Sequence, residues 1–188
     1  MKYPNGKTAA PKENRISTSR RGMSLEEDIN ISNTSYLKDD VAVIHKKPTP
    51  VTIVKVDYPR REKARIEEAY FKLPSTTDYN GIYKGRYIDF EAKECHSKTS
   101  FPFSSIHPHQ IAHLADVLKH GAIAFLIIRM SAYEKDYLID AKAFLDYYAS
   151  VKRRSLPYGW ILENGTEIAY NYRRPCDYLQ AIDKVYKI

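Results

Sequence analysis

The chain is poor in several features that would place it in large protein classes. It has only two cysteines, Cys95 and Cys176, and no CxxC pair. Neither a disulfide framework nor a cysteine zinc site is indicated, so both are expected to be ordinary reduced thiols. No apolar run approaches the length of a membrane span; the longest, Ala122 to Ile128, is strand-sized, and no signal peptide opens the chain. A cytoplasmic location without membrane attachment is the expectation. No internal repeat is evident. In His107-Pro108-His109-Gln110-Ile111-Ala112-His113 the glutamate of an HExxH protease is missing. His109 and His113, one helical turn apart, keep a zinc pair open as a rival to a plain helix opening.

What is present suits a soluble nucleic-acid binder. With 188 residues, 43% of them hydrophobic, the chain can bury a real core as one domain with an appendage. The net charge of +7 lies in two segments. Residues 1–22 carry Lys2, Lys7, Lys12, Arg15, Arg20 and Arg21 against Glu13 alone, and read as a disordered basic arm. Residues 46–72 carry Lys46, Lys47, Lys55, Arg60, Arg61, Lys63, Arg65 and Lys72 against four acids, while the remainder is slightly acidic. Such patches suit a polyanion. Arg20, Arg21, Lys46, Lys47, Arg60, Arg61 and Arg65 are the candidate phosphate contacts, with Tyr70 a candidate for stacking on exposed bases. A solvated tail and a packing hairpin are the bland alternatives.

Local patterns predict an α/β domain, a mixed sheet with helices on its faces. Ser24-x-x-Glu27 is a capping box that opens a helix running to about Lys38, with Glu26 in its first turn. Ala42–Ile44 and Val51–Val56 read as strands. Arg60–Phe71 reads as a basic stretch containing a short helix. Residues 108–120 suggest a helix stopped by Gly121, and Ala122–Met130 a buried central strand. Asp136–Asp140 reads as a further strand, and Ala143–Val151 as a helix. Gly159–Tyr172 reads as a hairpin turning at Asn164-Gly165, and Tyr178–Val185 as a terminal helix.

The chemistry concentrates in Thr76-Thr77-Asp78-Tyr79-Asn80-Gly81 and Asp89-Phe90-Glu91-Ala92-Lys93. From Tyr87 to Lys93 the residues alternate, with Ile88, Phe90 and Ala92 on one face and Asp89, Glu91 and Lys93 on the other. A turn at Asn80-Gly81 or at Lys84-Gly85 would return Asp78 to Glu91. Two carboxylates can hold Mg²⁺, with Mn²⁺ as a substitute, and an adjacent lysine can steady the attacking water of a phosphodiesterase. Ala92 can add its carbonyl oxygen. The hydroxyls of Thr76 and Thr77 would meet a phosphate or a metal-bound water, or merely cap a turn.

TTDYNG, DFEAK, Ser100-Phe101-Pro102-Phe103, His109-Gln110, Gly22-Met23-x-Leu25-Glu26 and Lys47-Pro48-Thr49-Pro50 recur in this order in the RecU family of Holliday junction resolvases, which the chain resembles from about Gly22 to Tyr172. Cys95 stands where many relatives have Thr, and Phe103 replaces a more usual Leu. The resemblance implies a restriction-endonuclease-like fold over 23–188 with a protruding basic, β-rich stalk at about 46–72. It implies Mg²⁺ on Asp78 and Glu91, with Thr76, Gln110 and Glu26 beside them and Asp89 secondary. It further implies a homodimer acting on four-way junctions in recombination and repair, in contact with a strand-exchange recombinase and a branch-migration motor. Two other readings stand beside it: a nuclease of the same fold with another substrate, and a non-catalytic DNA-binding modulator of a recombinase.

Overall fold

The computed structural model describes residues 24–57, 64–72 and 76–188. Arg20, Arg21, Arg60 and Arg61 therefore lie outside the described residues, as does the basic arm at 1–22. Helix α1 (Leu25–Lys38) begins where the capping box predicts: the Ser24 hydroxyl accepts the Glu27 N–H, and the Glu27 carboxylate accepts the Ser24 N–H. Leu25, Ile29, Ser32 and Tyr36 form its buried face, spaced so that all four look at the sheet.

The central sheet has six strands. In chain order they are β1 (Ala42–Lys46), β4 (Tyr79–Tyr83), β5 (Arg86–Cys95), β7 (Ile123–Met130), β8 (Lys135–Asp140) and β10 (Thr166–Glu167), and they lie in that same spatial order. Only the β5–β7 pair is parallel. Its crossover carries α2 (Pro108–Lys119), as a parallel connection requires. Every residue of β7 is buried, because both faces of the sheet are covered. One face packs under α1 and α5 (Tyr178–Tyr186). The other meets α2, α3 (Ala141–Ser150) and α4 (Tyr158–Asn164). Two short strands, β6 (Ser100–Pro102) and β9 (Ser155–Pro157), pair outside the main sheet.

Three aromatic rings set the register of the middle strands. Tyr79 is opposite Phe90, and Phe90 is opposite Phe125. Their rings stack at centroid distances of 4.8 and 4.7 Å, within the range of favourable offset stacking. A one-residue slip would send all three to the other face. Within the β7–β8 ladder, buried Arg129 of β7 binds Asp136 of β8 at 2.7 Å, and it reaches Asp28 of α1 at 2.5 Å, satisfying a buried charge through hydrogen-bonded partners.

Three sequence expectations change. Arg65–Phe71 is not helical but strand β3, antiparallel to β2 (Val51–Asp57); the cross-strand pairs Thr52–Tyr70 and Val56–Ile66 favour a ribbon over a turn of helix. Residues 159–164 are not a hairpin arm but most of α4, because Ile161 there is fully buried, and Asn164-Gly165 ends that helix before the two residues of β10. Asn80-Gly81 is not the turn: both lie within β4, and the reversal is the two-residue loop Lys84-Gly85, each at positive φ (48° and 73°), the conformation that tight hairpins demand. Among the described residues no helix is long and apolar enough to cross a membrane.

Gly81 serves close packing instead. A Cβ there would lie 2.2 Å from the Val43 carbonyl oxygen and 2.6 Å from the Ile44 Cα. Gly81→Ala should therefore force β1 away from β4 and cost about 1–3 kcal/mol, read as a lower urea midpoint with an unchanged m-value.

Candidate active site

The hairpin register carries the site. Because Tyr79 pairs with Phe90, the next residues outward, Asp78 and Glu91, face one another on the opposite side of the sheet. That side is not open to solvent: α2 covers it, and the Glu91 side chain is fully buried. Three protein groups bond it. The Asp78 N–H donates to Oε2 at 3.1 Å, the Gln110 carboxamide donates to Oε1 at 2.7 Å, and the Lys93 ammonium bonds the same oxygen. Lys93 Nζ also lies 3.5 Å from Asp78 Oδ2.

Burial pushes the Glu91 carboxyl up to about 8, and the neighbouring Asp78 carboxyl adds to the rise against the pull of Lys93. For Lys93, burial works against the charged form, but Glu91 and Asp78 outweigh it and hold the ammonium above its ordinary value. The site is thus two opposed carboxyls sharing one lysine cation, an arrangement short of positive charge.

Gln110 is placed by the start of α2. Its Oε1 accepts the His107 N–H at 2.9 Å and so closes the helix end. That bond fixes which end of the amide is oxygen, leaving the NH₂ for Glu91. In this geometry Gln110 is a donor that orients Glu91, and its oxygen, which caps the helix, keeps a second electron pair on the side of the site. Thr76 lines the same cleft, and its hydroxyl donates to the Thr77 carbonyl at 3.3 Å. Glu26 reaches the cleft rim from α1 but pairs with Lys46 at 2.5 Å.

Asp89, secondary in the sequence reading, is fully buried and has four partners. Lys47 Nζ lies at 2.8 Å, the Tyr87 hydroxyl at 2.8 Å and His113 Nε2 at 3.2 Å, and Thr77 donates its hydroxyl as well. Lys47, expected on DNA, turns its ammonium inward to Asp89 and Thr77. Because His113 turns to Asp89 while His109 stacks on His107, the two histidines of the zinc reading are not brought together. Among the described residues no group of three His, Cys, Asp or Glu clusters as a metal site. Thr77, read from the sequence as meeting a phosphate or a metal-bound water or as capping a turn, turns its hydroxyl to the Asp89 carboxylate; the role of Asp89 as the gathering point is what sequence reasoning missed. His109 also lines the cleft, its Nε2 buried without a hydrogen-bond partner. Burial, with His107 and Lys93 nearby, lowers its pKa.

The β2–β3 ribbon is rooted at the cleft, whose lining includes Lys47, Pro48, Thr49 and Pro50 on one limb and Thr76 and Thr77 on the other. Its strands carry no buried residue; Arg65 and Tyr70 are both exposed, and the Tyr70 hydroxyl bonds Glu68 at 2.6 Å. The two strands are not themselves basic, since Lys55 and Arg65 face Asp57, Glu67 and Glu68. The basic excess of the segment belongs to its ends and to residues 60–63.

The family described as Recombination protein U (RecU) matches residues 20–184. Similar curated proteins include the Holliday junction resolvase RecU of Oceanobacillus iheyensis, 50% identical over 99% of this chain and all of that protein. The RecU proteins of Bacillus cereus strain B4264 and Geobacillus sp. strain WCH70 are each 48% identical over 99% of this chain and 98% of theirs. A solved structure, the Holliday junction resolvase Hjc of Archaeoglobus fulgidus, aligns over 55% of this chain and 78% of that one, at 12% identity and a TM-score of 0.36.

The raised Glu91 pKa has a measurable sign. An acid near 4.5 when unfolded and about 8 when folded stabilises the fold below the lower value, and that contribution is lost as pH rises between the two. In chelator-treated protein, Glu91→Gln should therefore gain stability over the native chain from about pH 5 to 8, by at most roughly 1.4 kcal/mol per pH unit. Denaturant unfolding at each pH checks this; a constant difference would refute it.

Proposed function

The chain belongs to the RecU family of recombination proteins, and from that premise we propose that it is a Holliday junction resolvase, a metal-dependent endonuclease that nicks four-way DNA junctions in recombination and repair. The observation that carries the reading is the Asp78–Glu91–Lys93 constellation: two carboxyls opposed by strand register with one ammonium between them.

The donor set fits Mg²⁺ or Mn²⁺. It offers the hard oxygens of two carboxylates, and a hexacoordinate cation retaining several waters asks for no more. The high pKa of Glu91 marks a site short of positive charge, which a divalent cation would supply. Asp78 and Glu91 would hold it, with the Ala92 carbonyl and Thr76 as further oxygen donors and Glu26 at the rim. When bound, the ion supplies charge neutralisation at the phosphate and acidifies water.

This chain's own groups do the rest. The Asp78 N–H and the Gln110 carboxamide hold Glu91 in one orientation, so its free electron pairs keep a fixed aim. Lys93, a cation in the described geometry, donates to the attacking water or to a non-bridging phosphate oxygen, where negative charge grows as water adds to phosphorus and the bond to the departing sugar oxygen breaks. Two symmetric cuts need two such sites about a two-fold axis, so the working form is a homodimer. The ribbon rooted at the cleft, with Tyr70 exposed and Arg60 and Arg61 between its strands in sequence, is suited to enter the open centre of a junction, where rings stack on bases. A strand-exchange recombinase and a branch-migration motor are the expected partners, and the cytoplasm the expected location.

A labelled synthetic junction tests this. The native chain should give paired symmetric nicks with Mg²⁺ and none with a chelator. Glu91→Gln and Lys93→Ala should lose at least about 100-fold in cutting rate while still binding. Tight binding with no nicking under any metal would leave a non-catalytic recombinase modulator, and equal cutting of linear duplex would leave a nuclease of another specificity. Tyr70→Ala should weaken junction binding roughly tenfold with a smaller effect on linear duplex, as read by gel shift.

A further inference from the structure

We propose that Asp89 is a positioning residue that couples seating of the β2–β3 ribbon on branched DNA to the alignment of Asp78 with Glu91, and so helps set the preference for junctions over duplex. The inference rests on the resolvase reading and deepens it.

Neither ribbon strand buries a side chain, so apolar packing of these strands does not hold the ribbon to the body. It is held at its roots. Lys47 stands at the root of the outgoing limb, and Thr77 follows the returning one. Both bond the same fully buried carboxylate, Asp89. They also bond each other, Lys47 Nζ to Thr77 Oγ1 at 2.9 Å, and the Lys47 N–H donates to the Asp78 carbonyl at 2.7 Å. Asp89 itself is anchored in β5, paired on both sides, two residues before Glu91.

A force that swings the ribbon must therefore move Lys47 or Thr77 against Asp89. Thr77 is joined by one peptide bond to Asp78, whose N–H touches Glu91. Any displacement at the root reaches the two carboxyls directly, and misplacement of such groups by about 1 Å can cost on the order of 100-fold in rate. The other two partners, Tyr87 and His113, hold the carboxylate from the side of the body, so it reports root position without itself touching DNA. A buried acid with a lysine and a threonine drawn from opposite limbs is more than a structural ion pair requires.

The test uses the full chain with Asp89→Asn and, independently, Thr77→Val. The first keeps an oxygen for Thr77 but turns an NH₂ toward the Lys47 ammonium; the second removes the bond from the other limb with the shape retained. Single-turnover cutting of a four-way junction and of a linear duplex is measured at saturating protein with Mg²⁺, alongside junction affinity and thermal unfolding. Expected for each variant is a junction-to-duplex rate ratio lowered at least about tenfold, with junction affinity within about threefold of native. If both substrates slow equally, or if the whole loss appears in affinity, the coupling is overturned and Asp89 is merely structural. Should Asp89→Asn fail to fold, Thr77→Val alone decides by the same ratio. A native chain that cuts no junction with any metal would instead overturn the resolvase reading, whereas native selectivity unchanged in both variants overturns only the coupling.

Discussion

A carboxylate sealed from water must find every partner it needs within the protein, and the placement of Glu91 organises much of what surrounds it. Its oxygens are met by a backbone N–H where the chain enters β4, by a carboxamide at the start of α2 and by the lysine two residues further along its own strand. Two of these donors are fixed by a second task. Gln110 closes the helix end through the His107 N–H, and Lys93 is shared with Asp78. A helix, a hairpin and a central strand thereby meet at one oxygen pair.

The apolar side of the same strand makes that meeting reproducible. Tyr79, Phe90 and Phe125 stack across three strands, and stacking in register is incompatible with a slip of one residue. Alternation then places Asp78 and Glu91 opposite one another on the other side. The hydrophobic face acts as the ruler for the charged one. Gly81 contributes by letting β1 close on β4, which brings Lys47 within reach of Asp89.

The ribbon obeys a different logic. A two-stranded antiparallel pair with no buried side chain has little to stabilise it alone, and its exposed Val51, Ile53, Val54, Ile66, Tyr70 and Phe71 form the kind of apolar surface that is usually completed by a partner. Among the described residues its attachment is polar and lies at the roots, which line the candidate cleft. In the proposed function, the element that reads the substrate and the site that breaks the bond are separated by two hydrogen-bonded side chains rather than by a domain.

Sequence by itself determined the elements whose signals are local. The capping box of α1, the buried run of β7, the α2 start and the alternating Tyr87–Lys93 strand all follow from side-chain chemistry within a few residues, and the motif series identified the family and singled out Asp78, Glu91 and Lys93 as candidates. It did not determine the elements decided by distant partners. Arg65–Phe71 becomes a strand because β2 lies beside it, residues 159–164 become helix because Ile161 is drawn into the core, and Asn80-Gly81 is extended because β1 needs close approach there. Nor could it tell that the polar face of β5 is roofed by α2, so that Glu91 is buried with a raised pKa and Asp89 gathers Lys47, Thr77, Tyr87 and His113. Those partners stand up to 42 residues from Asp89 along the chain, and spacing alone carries no information about which of many polar side chains a buried carboxylate will choose; only the packed tertiary structure, by excluding water, forces that choice.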